Sequence, residues 1–484
     1  MGAAVSRGGV RARGAARGDL ARRLPLVLLG LFAAAAVVGW ASFSTFPQYD
    51  TLYAFLWARE IWDGGVPGFD AYRAPTQHPL LFPVALVLAP LGDAGLRAFV
   101  LLDVLSFVAL VAAVWRLGRV AAGLLGAALA AALIASRLNL PLLAAIGFLD
   151  IPYCALIAWA CVLEVERPRR GAPVLVLLTL AGLLRPEAWL LAGLYALWMG
   201  WRWVPAAFVA PMIWCLVDLA VTGDPLFSLL HTDGLALELQ RERPIETLPW
   251  LSVKLLAEIL KWPVLALAVA GLGLALWRRR SDLVVVAALI PVTLASYFVI
   301  ATGGLPTVYR YLLVAAIGLA VFAAYALGGW TTASGALRTR WAVASAVLLV
   351  GGAAYTLLNT SPTTVVAKLE QRERTRDQLR DLLSRRAFKR VAACGPITVP
   401  NHKLVPEIRW LLDLPERRVR ARSDRTLDVQ RSGAAIIIER RIERRPALDV
   451  GEVPRDGGRA LQQPPPGFEL LGGNRSFALY GACP

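Results

Sequence analysis

Apolar residues along this chain are gathered into long blocks, and these blocks predict helices that cross a membrane. The runs are about 15–20 residues long, roughly the length that a helix needs to cross the hydrocarbon core. A water-soluble core of this size would instead show short periodic segments separated by polar loops. The blocks predict about eleven spans, at residues 24–43, 97–115, 120–136, 150–165, 172–184, 187–200, 204–222, 262–277, 283–301, 309–329 and 342–359.

Two of these runs are too short to cross a membrane separately. The runs 172–184 and 187–200 meet at the tripeptide Arg185-Pro186-Glu187. Because proline disfavours helical torsions in the residue before it, the first helix is expected to end there. The sequence therefore predicts a hairpin of half-length helices with two charges at its tip.

Basic clusters occupy every second connection between the runs, which is the pattern of a single orientation in the membrane. Loops rich in Arg and Lys face the cytoplasm. We therefore predict a multi-pass protein of the cell inner or plasma membrane, with a basic cytoplasmic N-terminus at 1–23 and a membrane domain at 24–359. Long structured loops at about 44–96 and about 223–261, and a C-terminal domain at 360–484, are then extracytoplasmic.

The composition agrees with a membrane protein. Hydrophobic residues make up 57% and charged residues 18% of the chain, against roughly half and a quarter in soluble proteins. The net charge of +17 would suggest nucleic-acid binding in a soluble protein. Here the arginines lie in short loops between apolar runs and act as orientation signals. We therefore expect membrane lipids, and no nucleic acid, as partners.

The last part of the chain changes character at about residue 360. A charged helical stretch comes first, and short apolar runs with strand character follow, which together predict a small α/β domain. Cys394 and Cys483 bracket this region. In an oxidising compartment a disulfide between them is one interpretation, and two free thiols are the other.

Two aspartates open predicted helices, Asp50 after the first span and Asp150 at the start of the fourth. One interpretation is chemical, since a carboxylate at the membrane surface can take the proton of an attacking hydroxyl. The other is structural, since Asp is a common helix N-cap. Pro152 in the first turn fits a helix start in either case.

Several cations are candidates for binding an anion at the membrane surface. Arg185 at the hairpin tip could bind a lipid-linked phosphate, or it could pair with Glu187 in a plain proline turn. Arg310, between Tyr309 and Tyr311, could hold a phosphate or serve as an interfacial anchor. His78 could be a phosphate or metal ligand, although a lone histidine supports little.

Some classes of function lack their motifs. The sequence contains no Walker-type loop, no dinucleotide-binding glycine pattern and no Cys/His spacing for zinc. An ATP-driven pump and a redox enzyme are therefore disfavoured. No clear internal repeat is present, which weakens a secondary-transporter interpretation.

In their order, these motifs resemble the GT-C superfamily of membrane glycosyltransferases, over roughly residues 24–330. The closest branch includes the protein mannosyltransferases and the aminoarabinose transferases that act on lipid A. The matching residues are Asp50, His78-Pro79-Leu80, Leu149-Asp150-Ile151-Pro152, Leu184-Arg185-Pro186-Glu187, Gly223-Asp224-Pro225-Leu226 and Arg310 to Leu313. The C-terminal domain has no obvious counterpart in the lipid A enzymes.

The resemblance implies a sugar donor carried on a polyprenyl phosphate and an acceptor hydroxyl on an envelope glycan, lipid or protein. Asp50 would act as the base in an inverting transfer, and Asp150 would position the acceptor or a second base. Arg185 and Arg310 would stabilise the leaving phosphate, with Arg73 or His78 as further candidates. Glu187 and Tyr309 are further candidates for the site that binds the substrate and the lipid phosphate.

No cofactor is firmly implied by this resemblance. A divalent metal is an open alternative, but the acidic pair that often adjoins the first aspartate in the family is absent, since Tyr49 and Thr51 flank Asp50. The competing class is a transporter or flippase for a lipid-linked or anionic glycan, which predicts charges along a continuous path through the spans. A non-enzymatic scaffold is a third alternative.

Overall fold

The computed structural model describes residues 7–43, 45–230, 245–303, 307–359, 363–424, 426, 428–438 and 463–483. Part of the predicted loop at 223–261 lies outside these ranges. Fifteen helices are described in the part that precedes residue 360. They are α1 (Arg7–Ser42), α2 (Tyr49–Trp62), α3 (Leu81–Leu88), α4 (Asp93–Ala135), α5 (Asn139–Ala145), α6 (Asp150–Glu166), α7 (Ala172–Leu184), α8 (Glu187–Met199), α9 (Val204–Ala207), α10 (Val209–Thr222), α11 (Leu248–Leu260), α12 (Trp262–Trp277), α13 (Val284–Thr302), α14 (Leu313–Gly328) and α15 (Gly335–Asn359).

Helix α14 forms the centre of the bundle. All but one of its residues are buried, because it consists almost entirely of small and branched apolar side chains. Helices α4 and α12 pack directly against it. A Cβ atom on Gly271 of α12 would lie 2.0 Å from the carbonyl oxygen of Phe322 in α14. Glycine therefore allows these two helix backbones to approach as closely as membrane helices do at small residues.

Helix α4 is a hairpin rather than one long rod. Ala122 and Gly123 have non-helical torsions, and Gly123 has a φ of 63°. A Cβ atom on Gly118 would lie 2.5 Å from the carbonyl oxygen of Gly126. Since residues eight apart in a straight helix are about 12 Å apart, this contact shows that the chain folds back on itself at Ala122-Gly123, inside the predicted run 120–136.

The structure confirms a polytopic helical membrane protein. By length and composition, and within the described residues, five helices can cross a membrane, or seven if each of two bent pairs counts as one span. The predicted number of about eleven spans is not confirmed. The predicted hairpin at 172–184 and 187–200 corresponds to α7 and α8, each 13 residues long.

The C-terminal region forms a small α/β domain, as predicted. Its described elements are α16 (Thr363–Ser384), α17 (Arg386–Cys394), β1 (Ile397–Val399), α18 (Val405–Leu412), β2 (Val419–Ala421), β3 (Gly433–Ile438), β4 (Glu469–Gly473) and β5 (Phe477–Ala482). The strand order is β2-β1-β3-β5-β4. Strands β1, β2 and β3 run parallel, and β5 pairs antiparallel with β3 and β4.

A disulfide between Cys394 and Cys483 closes this domain. It joins the end of α17 to the residue after β5, across 89 positions of sequence, with the two Cα atoms 5.5 Å apart. Each Cys lies at the edge of an element that packs on the buried strand β3. The bond therefore holds the last strand to the helical layer of the domain.

The C-terminal domain packs on α2 and on the start of α4. The Arg59 guanidinium lies 3.5 Å from the centre of the Trp410 ring, and it pairs with Asp413 at 2.9 Å. The Trp410 indole Nε1 donates to Asp93 Oδ1 at 2.8 Å, and Arg409 pairs with Glu60. These contacts hold the domain against the last turn of α2, and Arg372 of α16, whose Nη2 donates to Pro47 O at 3.2 Å, holds it beside the start of that helix.

Candidate functional site

Asp150 is the centre of a buried charge cluster at the start of α6. Its carboxylate is held by two guanidinium groups from distant parts of the chain. Arg185 Nη2 lies 2.8 Å from Asp150 Oδ1, and Arg310 Nη1 donates to Asp150 Oδ2 at 3.0 Å. Asp150 is 1% exposed. Burying this carboxylate is tolerated because two opposite charges surround it.

The position of Arg185 follows from the proline after it. Pro186 disfavours helical torsions at residue 185, and Arg185 is indeed extended, with φ −148° and ψ 129°. Helix α7 therefore ends there, and the side chain extends from the turn. Its Nη1 donates to Glu187 Oε1 at 2.9 Å. The predicted local pair with Glu187 and a longer-range pair with Asp150 thus exist together.

Arg310 is the more accessible of the two arginines. Its side chain is 25% exposed, compared with 12% for Arg185. It lies in a short 3₁₀ helix (Tyr309–Leu312) that precedes α14, and its guanidinium lies 4.5 Å from the centre of the Phe148 ring. Of the two arginines, Arg310 therefore exposes the larger share of its side chain.

Asp50 lies in the first turn of α2, but it does not cap the helix. The cap is Gln48, whose side-chain oxygen accepts a hydrogen bond from the Asp50 backbone N–H at 3.1 Å. The N-cap interpretation of Asp50 is therefore wrong. In the part of the chain that the structure describes, the Asp50 carboxylate has no hydrogen bond or ion pair. The cap interpretation also fails for Asp150, since Leu149 holds that position.

The start of α2 is tied to the segment that leads into α6. The Gln48 backbone N–H donates to Ile146 O at 2.9 Å, and Thr51 Oγ1 donates to Gly147 O at 2.8 Å. Gly147 is three residues before Asp150 in the chain. The structure therefore holds Asp50 beside the Asp150 cluster, although the two aspartates are 100 positions apart in sequence.

His78 contacts the tip of the α7–α8 hairpin, at the residue before Arg185. Its Nδ1 lies 2.7 Å from the carbonyl oxygen of Leu184. Because a carbonyl can only accept, Nδ1 carries the proton in the neutral ring and Nε2 is left as an acceptor. Burial lowers the pKa of His78 from 6.5 to about 4, and the nearby carboxylate of Asp50 opposes that shift. His78 is thus neutral at pH 7.

We expect the stability of the protein to fall as the pH falls from about 6.5 to about 4. In this range the unfolded chain binds a proton at His78 that the folded protein does not bind, so protonation favours unfolding. Between pH 7 and pH 5 the wild type should lose about 2 °C more in melting temperature than His78→Gln, because a chain of 484 residues has a large entropy of unfolding. Thermal unfolding in detergent measures this, and equal losses in the two proteins would refute it.

Two other predicted site residues lie beside the cluster rather than in its ion pairs. The carbonyl oxygen of Arg73 accepts a hydrogen bond from the Tyr49 hydroxyl at 2.7 Å, and its guanidinium lies 5.1 Å from the Tyr72 ring centre. Arg73 has a φ of 55° and is 7% exposed. Tyr309 packs against the core of the bundle.

Sequence reasoning missed two tyrosines that contact Arg185. The Arg185 guanidinium lies 5.0 Å from the centre of the Tyr311 ring and 5.8 Å from that of Tyr153. Such contacts attract a cation to an aromatic face. The motif Tyr309-Arg310-Tyr311 contains two tyrosines. Which of these two reaches Arg185 depends on the 3₁₀ helix, which the sequence pattern does not reveal.

Two aspartates inside the bundle had no assignment from sequence. Asp218 accepts hydrogen bonds from Gln77 Nε2 at 3.2 Å and Ser228 Oγ at 2.7 Å, so it fixes the segment before His78. Asp103 is 2% exposed and, among the described residues, neither of its carboxylate oxygens has a hydrogen-bond partner. No group of three His, Cys, Asp or Glu side chains that could hold a metal is found within the described ranges.

The fold is similar to that of ArnT, a GT-C glycosyltransferase, in agreement with the resemblance of the motifs. Two solved structures share it over nearly their whole length. Both are of ArnT, a lipid A aminoarabinose transferase, from Cupriavidus metallidurans. The structure bound to undecaprenyl phosphate has a TM-score of 0.54 and 15% identity, and covers 94% of this chain and 97% of the ArnT chain. For the apo state the values are 0.50, 14%, 94% and 98%.

Sequence comparison adds no further relative. No family model matches the chain, and no curated protein matches it. At 14–15% identity the two structural matches establish the shared fold alone.

Proposed function

We propose that this protein is a membrane glycosyltransferase that moves a sugar from a polyprenyl phosphate to an acceptor hydroxyl. The observation that carries the proposal is the convergence of Asp50, Asp150, Arg185 and Arg310 at one end of a GT-C fold. A carboxylate without an ion pair lies there beside two cations. Such a transfer needs a base that takes the proton of the acceptor hydroxyl, and it needs cations that stabilise the leaving phosphate.

In the proposed reaction Asp50 takes the proton of the acceptor hydroxyl. The hydroxyl oxygen forms a bond to the anomeric carbon as the bond from that carbon to the phosphate oxygen breaks. The electron pair of the broken bond stays on the polyprenyl phosphate. A single displacement of this kind inverts the configuration of the sugar carbon. Asp50 suits the role because its carboxylate makes no ion pair with any described residue.

The leaving phosphate is stabilised by Arg310 and Arg185. Arg310 donates to the phosphate from its exposed side, while Asp150 holds both guanidiniums in place before the donor arrives. Such preorganised charge acts where negative charge develops and is often the largest catalytic contribution. Glu187 and Tyr311 fix the Arg185 side chain, and Arg73 and Tyr309 border the same end of the bundle.

His78 is a positioning residue rather than a phosphate ligand in this mechanism. Its only N–H in the neutral ring is directed at Leu184 O, so it has no second proton to donate to a phosphate. It holds the Leu184–Arg185 turn and thereby sets where the arginine extends. A metal has no step in this mechanism.

We propose the orientation that the basic loops predict. The N-terminus then lies in the cytoplasm, and Asp50, the charge cluster and the C-terminal domain lie on the extracytoplasmic side. A disulfide in the C-terminal domain agrees with this, because disulfides persist in oxidising compartments. The donor lipid would then reach the cluster from the outer leaflet.

Binding of undecaprenyl phosphate tests the donor site. We expect the purified protein to bind this lipid in native mass spectrometry, and Arg310→Gln to weaken the binding at least tenfold because a charge-assisted contact is lost. Arg338→Gln is the matched control, since Arg338 is exposed and lies away from the cluster. Equal binding by the wild type and Arg310→Gln would exclude Arg310 from the phosphate site.

Formation of a glycosylated acceptor separates the enzyme from the transporter alternative. A transporter moves a lipid-linked glycan without breaking the sugar–phosphate bond, so no free undecaprenyl phosphate accumulates. Reconstituted vesicles supplied with a donor lipid and an envelope extract should release undecaprenyl phosphate in proportion to labelled product. Movement of label across the vesicle membrane without this release would favour the transporter.

A further inference from the structure

A small cavity lies between the start of α2 and the C-terminal domain. Its volume is about 50 Å³, which at roughly 10–15 Å³ for each water gives room for about four water molecules. A carboxylate or phosphate group has a similar size. Gln48 and Tyr49 line the cavity on the side of the membrane domain, and residues of α16 and the segment around α18 line it on the other side.

The lining of this cavity carries an excess of positive charge. Three cations, Arg372, Arg376 and Lys403, face one carboxylate, Glu407. The positive charge of Arg376 is compensated, because its guanidinium lies 3.1 Å from the Glu407 carboxylate and 3.6 Å from the Asp93 carboxylate. Lys403 makes no ion pair within the described ranges. A buried or half-buried cation of this kind is stabilised when an anion binds beside it.

A neighbouring cavity of about 130 Å³ provides an internal comparison. Its lining balances three basic side chains against three acidic ones, which are Arg97, Arg376, Arg380, Asp93, Glu373 and Asp377. The second cavity therefore lacks the excess of basic over acidic side chains that the cavity beside Tyr49 has.

The cations of the cavity are held in place before any ligand arrives. Arg372 Nη2 donates to Pro47 O at 3.2 Å, and its guanidinium lies 4.3 Å from the centre of the Phe46 ring. The Lys403 ammonium lies 5.2 Å from the centre of the Tyr49 ring. Side chains that are already ordered lose less entropy on binding, which favours affinity.

The cavity borders the first turn of α2, the turn that also carries the candidate base Asp50. Tyr49, which forms part of its wall, precedes Asp50 in the chain. The Tyr49 ring also makes an edge contact with the His402 ring, with the ring centres 5.4 Å apart. A group held beside Lys403 would therefore place the atoms attached to it at the helix end that carries the Asp50 carboxylate.

We propose that this cavity binds the acidic group of an anionic sugar in the acceptor, with Lys403 as its specificity-determining cation. This inference rests on the proposed function and names its acceptor class, a glycan that bears a carboxylate or phosphate. The C-terminal domain thereby contributes to acceptor selection. Cations from that domain bind the acidic group, and the membrane domain supplies the base.

Ligand-observed NMR of the full chain in detergent tests the site with D-glucuronate, glucose 6-phosphate and neutral D-glucose. We expect at least one acidic sugar, but not glucose, to receive saturation from the protein. Lys403→Gln should weaken this binding at least tenfold. Its backbone N–H, which donates to Asn401 Oδ1 at 3.0 Å, is unchanged by the substitution. Lys389→Gln, on an exposed face of α17, is the matched control and should bind as the wild type does.

The same measurement on Arg310→Gln tests whether the acidic-sugar site is separate from the donor site. Arg310→Gln should retain the acidic-sugar signal while it loses undecaprenyl phosphate. A signal that persists in Lys403→Gln, a signal lost in Arg310→Gln, equal binding of glucose, or no acidic-sugar signal in the wild type would each overturn the acceptor site. Failure of the wild type to bind undecaprenyl phosphate would instead count against the proposed function.

Discussion

Replacing Asp50 with asparagine is expected to abolish sugar transfer while the protein still folds and binds its lipid donor. Asparagine has the same shape but cannot take a proton from the acceptor hydroxyl. A positioned general base contributes roughly 10²–10⁴-fold to a rate, so we expect a loss of that size. The fold should tolerate the change because the Asp50 carboxylate has no ion pair or hydrogen bond in the described structure.

The assay measures transfer rates and undecaprenyl phosphate binding on the same preparation. Asp63→Asn is the matched control, since Asp63 follows the end of the same helix and its side chain is exposed. We expect that variant to act as the wild type does. Turnover near the wild-type rate in Asp50→Asn would remove Asp50 from the mechanism.

Replacing Asp150 with asparagine is expected to destabilise the protein by about 3 kcal/mol, because removing one partner of a buried pair leaves charge uncompensated. Arg185 keeps Glu187 as a partner at 2.9 Å, whereas Arg310 loses the carboxylate at 3.0 Å. Transfer should also fall, since the two guanidiniums would no longer be held together.

An exposed ion pair provides the control for this stability measurement. Arg280 and Asp282 approach within 2.6 Å, but the Asp282 side chain is 43% exposed. Exposed pairs contribute about 0–1 kcal/mol, so Asp282→Asn should lower the free energy of unfolding by no more than that. Chemical unfolding in detergent, followed by tryptophan fluorescence, compares the variants. Similar losses in both would mean that the buried Asp150 cluster stabilises the protein no more than an exposed ion pair does.

Features that depend on short stretches of sequence were predictable. The break between α7 and α8 follows from Pro186, and the observed bounds Ala172–Leu184 and Glu187–Met199 match the predicted runs closely. The start of α6 at Asp150 follows from a proline in its first turn. These signals are local because torsion angles are set by neighbouring residues.

Features that depend on tertiary packing were not predictable from the pattern. Asp150 and Arg310 are 160 positions apart, and their ion pair exists only because α6 and α14 meet in the bundle. The cap of α2 was misassigned because Gln48 and Asp50 both carry side chains that can accept a backbone hydrogen bond, and the pattern does not distinguish them. Lys403 lies in no recognisable motif, so its place beside Tyr49 depends on how the C-terminal domain packs.

The burial of α14 constrains how this protein can move. A helix enclosed by protein along nearly all its length cannot tilt or slide without disrupting close backbone contacts on several sides. Because Arg310 lies immediately before this enclosed element and Arg185 is paired with the same carboxylate, Asp150, we expect both anchors of the proposed phosphate site to stay in place when the donor binds. Admission of a long lipid chain is then expected to depend on elements at the edge of the bundle that carry neither arginine.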